Sequence, residues 1–176
     1  MNIFVLDLNP YIAAKMQCDK HVVKMVLESA QLLCTAHRVL TPDVEYPFQY
    51  RKTHFNHPCS KWLRQSTENY EWLVHHFVGL CHEYTRRYNK THMCEQKFLT
   101  DSTWLLVPPN PTPYGIMTPF AQAMPDEYKN DDVVKAYRDY YYYDKYFTID
   151  MRYAKGRDMP QWLRAYMEQD EAVCLK

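Results

Sequence analysis

Apolar residues recur at three- and four-residue intervals along two long stretches of this chain, and the breaks fall at prolines and capping residues. Val22, Val23, Val26, Ala30, Leu33 and Leu40 share one stripe of a helix over roughly 20–40, with Asp19 as its N-cap and Thr41-Pro42 as its end. Leu73, Phe77, Leu80 and Tyr84 repeat in the same way and predict a second long helix from about Ser66 to Tyr88. Asn9 followed by Pro10 predicts a short helix through about Gln17, because proline at the first helical position wastes no hydrogen bond. After a loop over 42–57, Pro58 opens another short helix carrying Trp62 and Leu63, and two more are expected near 130–146 and 160–172. Six prolines between 107 and 125 forbid regular structure there and predict an extended arm. Ile3–Leu6 is a strand candidate, too short to found a sheet. The expected class is all-α: a single compact helical domain, with a helical core over 1–106, a Pro-rich arm over 107–128 and C-terminal helices over 129–176.

Composition narrows the function classes. The 176 residues suffice for one core, and a hydrophobic content of 47% is too high for a disordered chain. No apolar run approaches ~18 residues, so no membrane span is expected. The start, MNIFVLDLNP, lacks a basic segment followed by an apolar one, which points to a cytoplasmic protein and makes free thiols the expected state of the six cysteines. Three glycines, none in a Gly-rich loop, exclude P-loop and dinucleotide folds. Twenty-one basic residues balance 21 acidic ones, but residues 50–100 carry a net +4 and residues 101–176 a net −3. Only the middle of the chain can attract a polyanion by field alone.

With Val26 at the centre of the apolar stripe and about 100° per residue, His21, Lys24, Glu28, Gln31 and Thr35 fall directly behind it. This polar strip is either an ordinary solvated face or the wall of a site in which Glu28 does acid–base work beside cationic groups. Spacing alone leaves both open.

The run Asp19-Lys20-His21-Val22-Val23, with Glu28 after four more residues, forms a D-x-H-hydrophobic-hydrophobic-x4-E pattern. It resembles the N-terminal helix of the pyrimidine-dimer DNA glycosylase/AP-lyase family typified by phage endonuclease V. The stretch Tyr50-Arg51-Lys52-Thr53-His54-Phe55-Asn56-His57-Pro58 looks like the Y-K-x-H-P segment of bacterial relatives. The likeness covers roughly residues 1–90 and extends to phage-encoded proteins that share Asp-Lys-His-Val-Val-Lys-Met and Asn-His-Pro-Cys. It implies a small helical protein acting on damaged or modified bases in DNA, with Glu28 as the essential carboxylate and His21 on the DNA. It further implies a free N-terminal amine attacking the deoxyribose C1′, a role suited to an α-amine because its ordinary pKa of about 8 leaves a neutral fraction near pH 7. Asn2 is too large for routine removal of the initiator methionine, so that amine is expected on Met1, with Lys24 as the alternative if burial readies it. Leu27 and Gln31 stand where the family pattern has cations. A rival reading is a non-catalytic viral protein that holds a nucleotide or a partner, and a third is an enzyme remodelling modified bases in phage DNA.

The expected partner is therefore DNA or a nucleotide. Lys20, Gln31, Arg51, Lys52, His54, His57, Lys61 and Arg64 are the candidate phosphate contacts, and Tyr50, Phe55 and Trp62 among them read either as base-stacking rings or as core. Cys18/His21 and Cys34/His37 each place two potential metal ligands on one helix face, but no CxxC occurs and the reading carries no metal and no cofactor. Arg86-Arg87 complements a helix C-terminus. In KAYRDYYYYDK (135–145), Tyr137, Tyr140 and Tyr141 share a face and are better suited to half-buried packing than to nucleic acid. The segment 118–125 is expected to lie on the core as an arm or to close a site as a lid.

Overall fold

The computed structural model describes residues 1–45, 50–102, 106–108 and 116–174, with backbone only for 173 and 174. Pro109, Pro111 and Pro113 of the expected arm and the Cys174 thiol lie outside the described residues. Among the described residues the chain forms α1 (Pro10–Met16), α2 (Asp19–Leu40), α3 (Pro58–Leu63), α4 (Thr67–Tyr88), α5 (Met93–Thr100), α6 (Val133–Tyr140) and α7 (Gln161–Cys174), and no strand. The class is all-α.

The helix ends follow local chemistry. Asn9 Oδ1 accepts from the amides of Tyr11 and Ile12 at the start of α1, and Ser66 Oγ accepts from Asn69 N at the start of α4. Asn89, at φ 51° and ψ 40°, closes α4 in the left-handed conformation. Asp19 departs from expectation. It is the first residue of α2 rather than its cap, which is Cys18 with no side-chain hydrogen bond. The Asp19 carboxylate accepts instead from Arg87 Nη1 at 3.1 Å and from Ala154 N at 2.7 Å, so it ties α2 to α4 and to the C-terminal part of the chain. Arg87 likewise does more than face a helix dipole: it is wholly buried and also donates to Glu83, Gln17 O and Lys15 O.

The core lies where α1 and α2 pack on α4. Gly79 of α4 permits the approach of α1, since a Cβ there would stand 3.0 Å from Ala14 Cβ and 3.3 Å from Tyr11 Cα. Trp62 belongs to this interior, with Phe120 stacked on it at 5.0 Å and Trp72 edge-on to Phe120, so the base-stacking reading of Trp62 is set aside. Residues 116–124, the described end of the Pro-rich region, contain no helix and lie on α3 and α4 through Thr118, which exchanges hydrogen bonds with Asn69. Ile3–Leu6 is not a strand. It is a buried segment in the core that bends at Phe4, where φ is 40° and Leu6 N donates to Phe4 O at 2.8 Å, and there is no strand among the described residues for it to pair with. Helix α5 carries no periodic signal in the sequence, because only Cys94 and Phe98 of its eight residues are buried.

On helix α2 the polar strip is not an ordinary solvated face. Its stripe of Val22, Val26, Ala30 and Leu33 is buried as expected, but Val23 is 38% exposed. His21, Glu28 and Thr35, diametrically behind the stripe, are buried too. The solvated edge is a narrow arc between, carrying Lys20, Val23, Lys24 and Leu27. The far side is covered because Thr35 bonds the backbone of Thr53, residues 1–2 lie over Glu28, and Phe4 lies over His21.

Candidate active site

Glu28 sits where the N-terminus crosses α2. Its Oε2 accepts from Asn2 N at 3.0 Å and lies 3.8 Å from the Met1 amine nitrogen, while Oε1 lies 3.3 Å from Lys24 Nζ. The carboxylate is thus held at both oxygens, one by a lysine a turn earlier on its own helix and one by the chain's first residues. Lys24 itself is 67% exposed, so the burial that a nucleophilic lysine requires is absent, whereas the Met1 side chain is buried beside the same carboxylate.

Around these groups is a hollow of about 210 Å³. Met1, Asn2, Lys24 and Glu28 line it together with His21 and Phe4. His21 is stacked on Phe4 at 4.5 Å, and its Nδ1 is 2.9 Å from the Tyr141 hydroxyl, which also accepts from Cys18 N. Burial, then the ammonium charges of Lys24 and Lys145, push the His21 imidazole down to about 3. At neutral pH it is an uncharged hydrogen-bonding ring, so it offers phosphate a dipole and not a cation.

The rest of the lining comes from two stretches read above chiefly as packing and as an arm or lid, 135–145 and 118–125, and from Ile149. Ala123, Tyr140, Lys145 and Ile149 make up this part. Ala123 arrives on the arm, where its carbonyl accepts from Asn2 Nδ2 at 2.9 Å, so the segment 118–125 both lies on the core and reaches the site. Tyr140 is the last residue of α6, and Lys145 arrives on a π-helical turn, Tyr141–Tyr146, that continues α6 without a break. Residues five apart fall about 140° from each other on an α-helix, and a search for helical faces separates this pair; in an i→i+5 turn they stand one above the other. Lys145 Nζ accordingly lies 4.7 Å from the Tyr140 ring centroid. Tyr137 and Tyr141 are fully buried packing residues.

The remaining candidates divide. His57 accepts from Cys59 N through Nδ1 and so caps α3; burial, then the charges of the Met1 amine and His54, push its imidazole down, which places it within electrostatic reach of the amine. Arg51 and Lys52 line a second, open hollow of about 400 Å³ with Arg38. Lys20 pairs with Asp150 at 3.6 Å, and His54 and Lys61 are exposed. Arg64 donates to Ser60 Oγ and to Phe55 O, both at 2.7 Å, and holds the loop before α3. Gln31 is half-buried on α2 and does not line the hollow. Cys18, Cys34, Cys59, Cys81 and Cys94 are free and buried, with Cys59 pushed up to about 12 by burial. No helix is long and apolar enough to cross a membrane among the described residues.

An amine, a carboxylate and a lysine meeting in a hollow on an all-α scaffold make a site equipped for amine–carbonyl chemistry. Residues 1–96 match the family model of the pyrimidine dimer DNA glycosylases, and the chain belongs to that family. No curated protein and no solved structure matches it. The family is one of DNA glycosylases, which carries a DNA glycosylase type of function and DNA as the partner. The match covers the whole α1–α4 part of the site and ends before Ala123, Tyr140, Lys145 and Ile149.

Proposed function

We propose that this chain removes damaged or modified bases from DNA and then cleaves the abasic strand through a covalent imine on its N-terminal amine. The observation that carries the reading is the Met1 nitrogen 3.8 Å from Glu28 Oε2 at the wall of the hollow. Glu28 takes a proton from the amine, whose lone pair then attacks C1′ of the sugar. The N-glycosidic bond breaks with its electron pair leaving on the base, which takes up a proton. Opening of the C1′–O4′ bond, with protonation of O4′, gives the iminium. Loss of the C2′ proton and departure of the 3′ phosphate with the C3′–O electron pair cut the strand, and water releases the amine. Lys24 fixes Oε1, so that Oε2 is the oxygen turned to the amine. Lys20, Arg51, Lys52, His54 and Lys61 supply exposed basic groups for the phosphates to either side, and neutral His21 donates or accepts inside the hollow.

Borohydride reduction of the protein with an abasic duplex tests the reading, because it fixes the imine as a stable adduct whose residue mass spectrometry identifies. The unmodified chain is expected to be trapped at Met1. Glu28→Gln is expected to lower cleavage by about 10²–10⁴-fold while unfolding at a similar urea concentration. Extending the chain by two residues before Met1 should abolish trapping. No adduct and no cleavage on abasic or ultraviolet-damaged duplex from the unmodified chain refutes the proposal, as does undiminished trapping of the extended chain.

A further inference from the structure

Four residues that line the hollow, Ala123, Tyr140, Lys145 and Ile149, come from outside the family-matched segment, and one of them is a cation. Lys145 is 24% exposed, with its Nζ over the Tyr140 ring at 4.7 Å and 3.0 Å from Asp144 Oδ1. An ammonium has three donors. Asp144 takes one and the ring face receives the charge, which leaves donors for a ligand in the hollow. On a regular helix Tyr140 and Lys145 would diverge by about 140°, so the turn that aligns them is what brings this charge to the site, and π-helical turns inside helices are frequent at functional sites. The same hollow is lined by Lys24 and Met1, with Glu28 as the carboxylate between them. Lys24, the Met1 amine and Lys145 stand against two carboxylates, Glu28 and the Asp144 that pairs with Lys145, so the cations exceed the anions by one, and a space of about 210 Å³ has room for one sugar with its phosphate.

We propose that Lys145, carried into the hollow by the π-helical turn, binds the phosphodiester next to the sugar that the Met1 amine engages. This rests on the function proposed above. The assignment gives the chain a substrate contact that the family-matched residues 1–96 do not contain, and it explains why the C-terminal segment is folded back onto the N-terminus: Ala123 bonds Asn2, and Tyr141 bonds Cys18 and His21.

The test is equilibrium binding of the full chain to a duplex containing a tetrahydrofuran abasic analogue, which has no C1′ aldehyde, over a range of salt. Lys145→Met should weaken binding about tenfold, as expected for a charge-assisted hydrogen bond. It should also flatten the slope of log K against log salt by about 0.9, the loss of one phosphate contact. Lys145→Arg should keep the slope, which separates loss of charge from loss of fold, and Lys155→Met, at an exposed lysine that does not line the hollow, should leave both unchanged. Affinity and slope for Lys145→Met equal to those of the unmodified chain overturn the assignment. If the unmodified chain binds the analogue but gives no borohydride adduct on true abasic DNA, the covalent mechanism falls, and the slope still decides for or against Lys145. If it does not bind the analogue at any salt, both fall.

Discussion

Lowering the pH from 7.5 to 5.5 should destabilise this protein, and the size of the loss follows from two imidazoles. Burial is the main cause that pushes both His21 and His76 down to about 3. His76 is completely enclosed, stacked on Trp72 at 5.0 Å with Nε2 3.1 Å from Gln17 Nε2. For such a group the folded pKa lies below the unfolded value of 6.5, so between about pH 3 and 6.5 the unfolded chain binds the extra proton and stability falls as pH falls. Between pH 7.5 and 5.5 an unfolded imidazole goes from about one-tenth to about nine-tenths protonated, which costs about 1.4 kcal/mol per histidine and about 2.7 kcal/mol for the pair. His57 and His92, also pushed down by burial, add to the same sign. Ordinary carboxylates titrate near pH 4 and lie outside this window. Urea unfolding at pH 7.5, 6.5 and 5.5 reads the effect as a fall in midpoint of roughly 1–2.5 M. In His76→Gln the pH-dependent part should shrink by about 1.4 kcal/mol, whatever constant loss the lost ring contact imposes at every pH. A midpoint that stays level across the window, or a His76→Gln variant with the full dependence of the unmodified chain, refutes the reasoning.

Two further perturbations probe the scaffold behind the site. Arg87→Met leaves the buried carboxylates of Asp19 and Glu83 with Arg157, on Glu83 alone, as their remaining guanidinium partner, and should cost about 3–5 kcal/mol in urea unfolding; a loss under 1 kcal/mol would show that the network does not hold α2 to α4. Gly79→Ala gains about 1 kcal/mol of helix propensity but drives a Cβ against Ala14 and the Tyr11 backbone, so overpacking of about 1–3 kcal/mol wins and the melting temperature should fall; a rise would mean that α1 shifts freely on α4.

Much of the scaffold was legible because it depends on neighbours in sequence. Pro10 and Pro58 open their helices, and the Leu73–Phe77–Leu80 stripe is buried against α1 and α2 as its period requires. The register of His21 and Glu28 also placed both on the hollow. What stayed hidden depends on long-range contact. A helical wheel assigns the far side of α2 to water, because it knows nothing of the N-terminal segment that covers Glu28 or of Tyr141, 120 residues away, that meets His21. It also separates Tyr140 from Lys145, because it assumes 3.6 residues per turn where the chain takes a wider turn. Trp62 and Arg64 look like nucleic-acid contacts in a basic, aromatic stretch, yet the indole is enclosed by Phe120 and Trp72 and the guanidinium is occupied by Ser60 and Phe55.

Asn2 shows most directly how one residue serves both fold and site. As a sequence position it argues against removal of Met1 and so against an amine in the usual place. In the fold it is the clasp that presents the Met1 amine. Its Oδ1 accepts from the amides of Ile3 and Phe4, its Nδ2 donates to Ala123 O, and its own N–H donates to Glu28. These bonds hold the tight bend at Phe4, whose φ of 40° costs a non-glycine residue about 1–3 kcal/mol and which lays its ring on His21. A buried side chain held by three hydrogen bonds is rigid, and a rigid first residue pair is what a nucleophile at a chain terminus needs, since a frayed end would spend most of its time out of reach. The amine is therefore positioned by the same four bonds that close the N-terminus over α2.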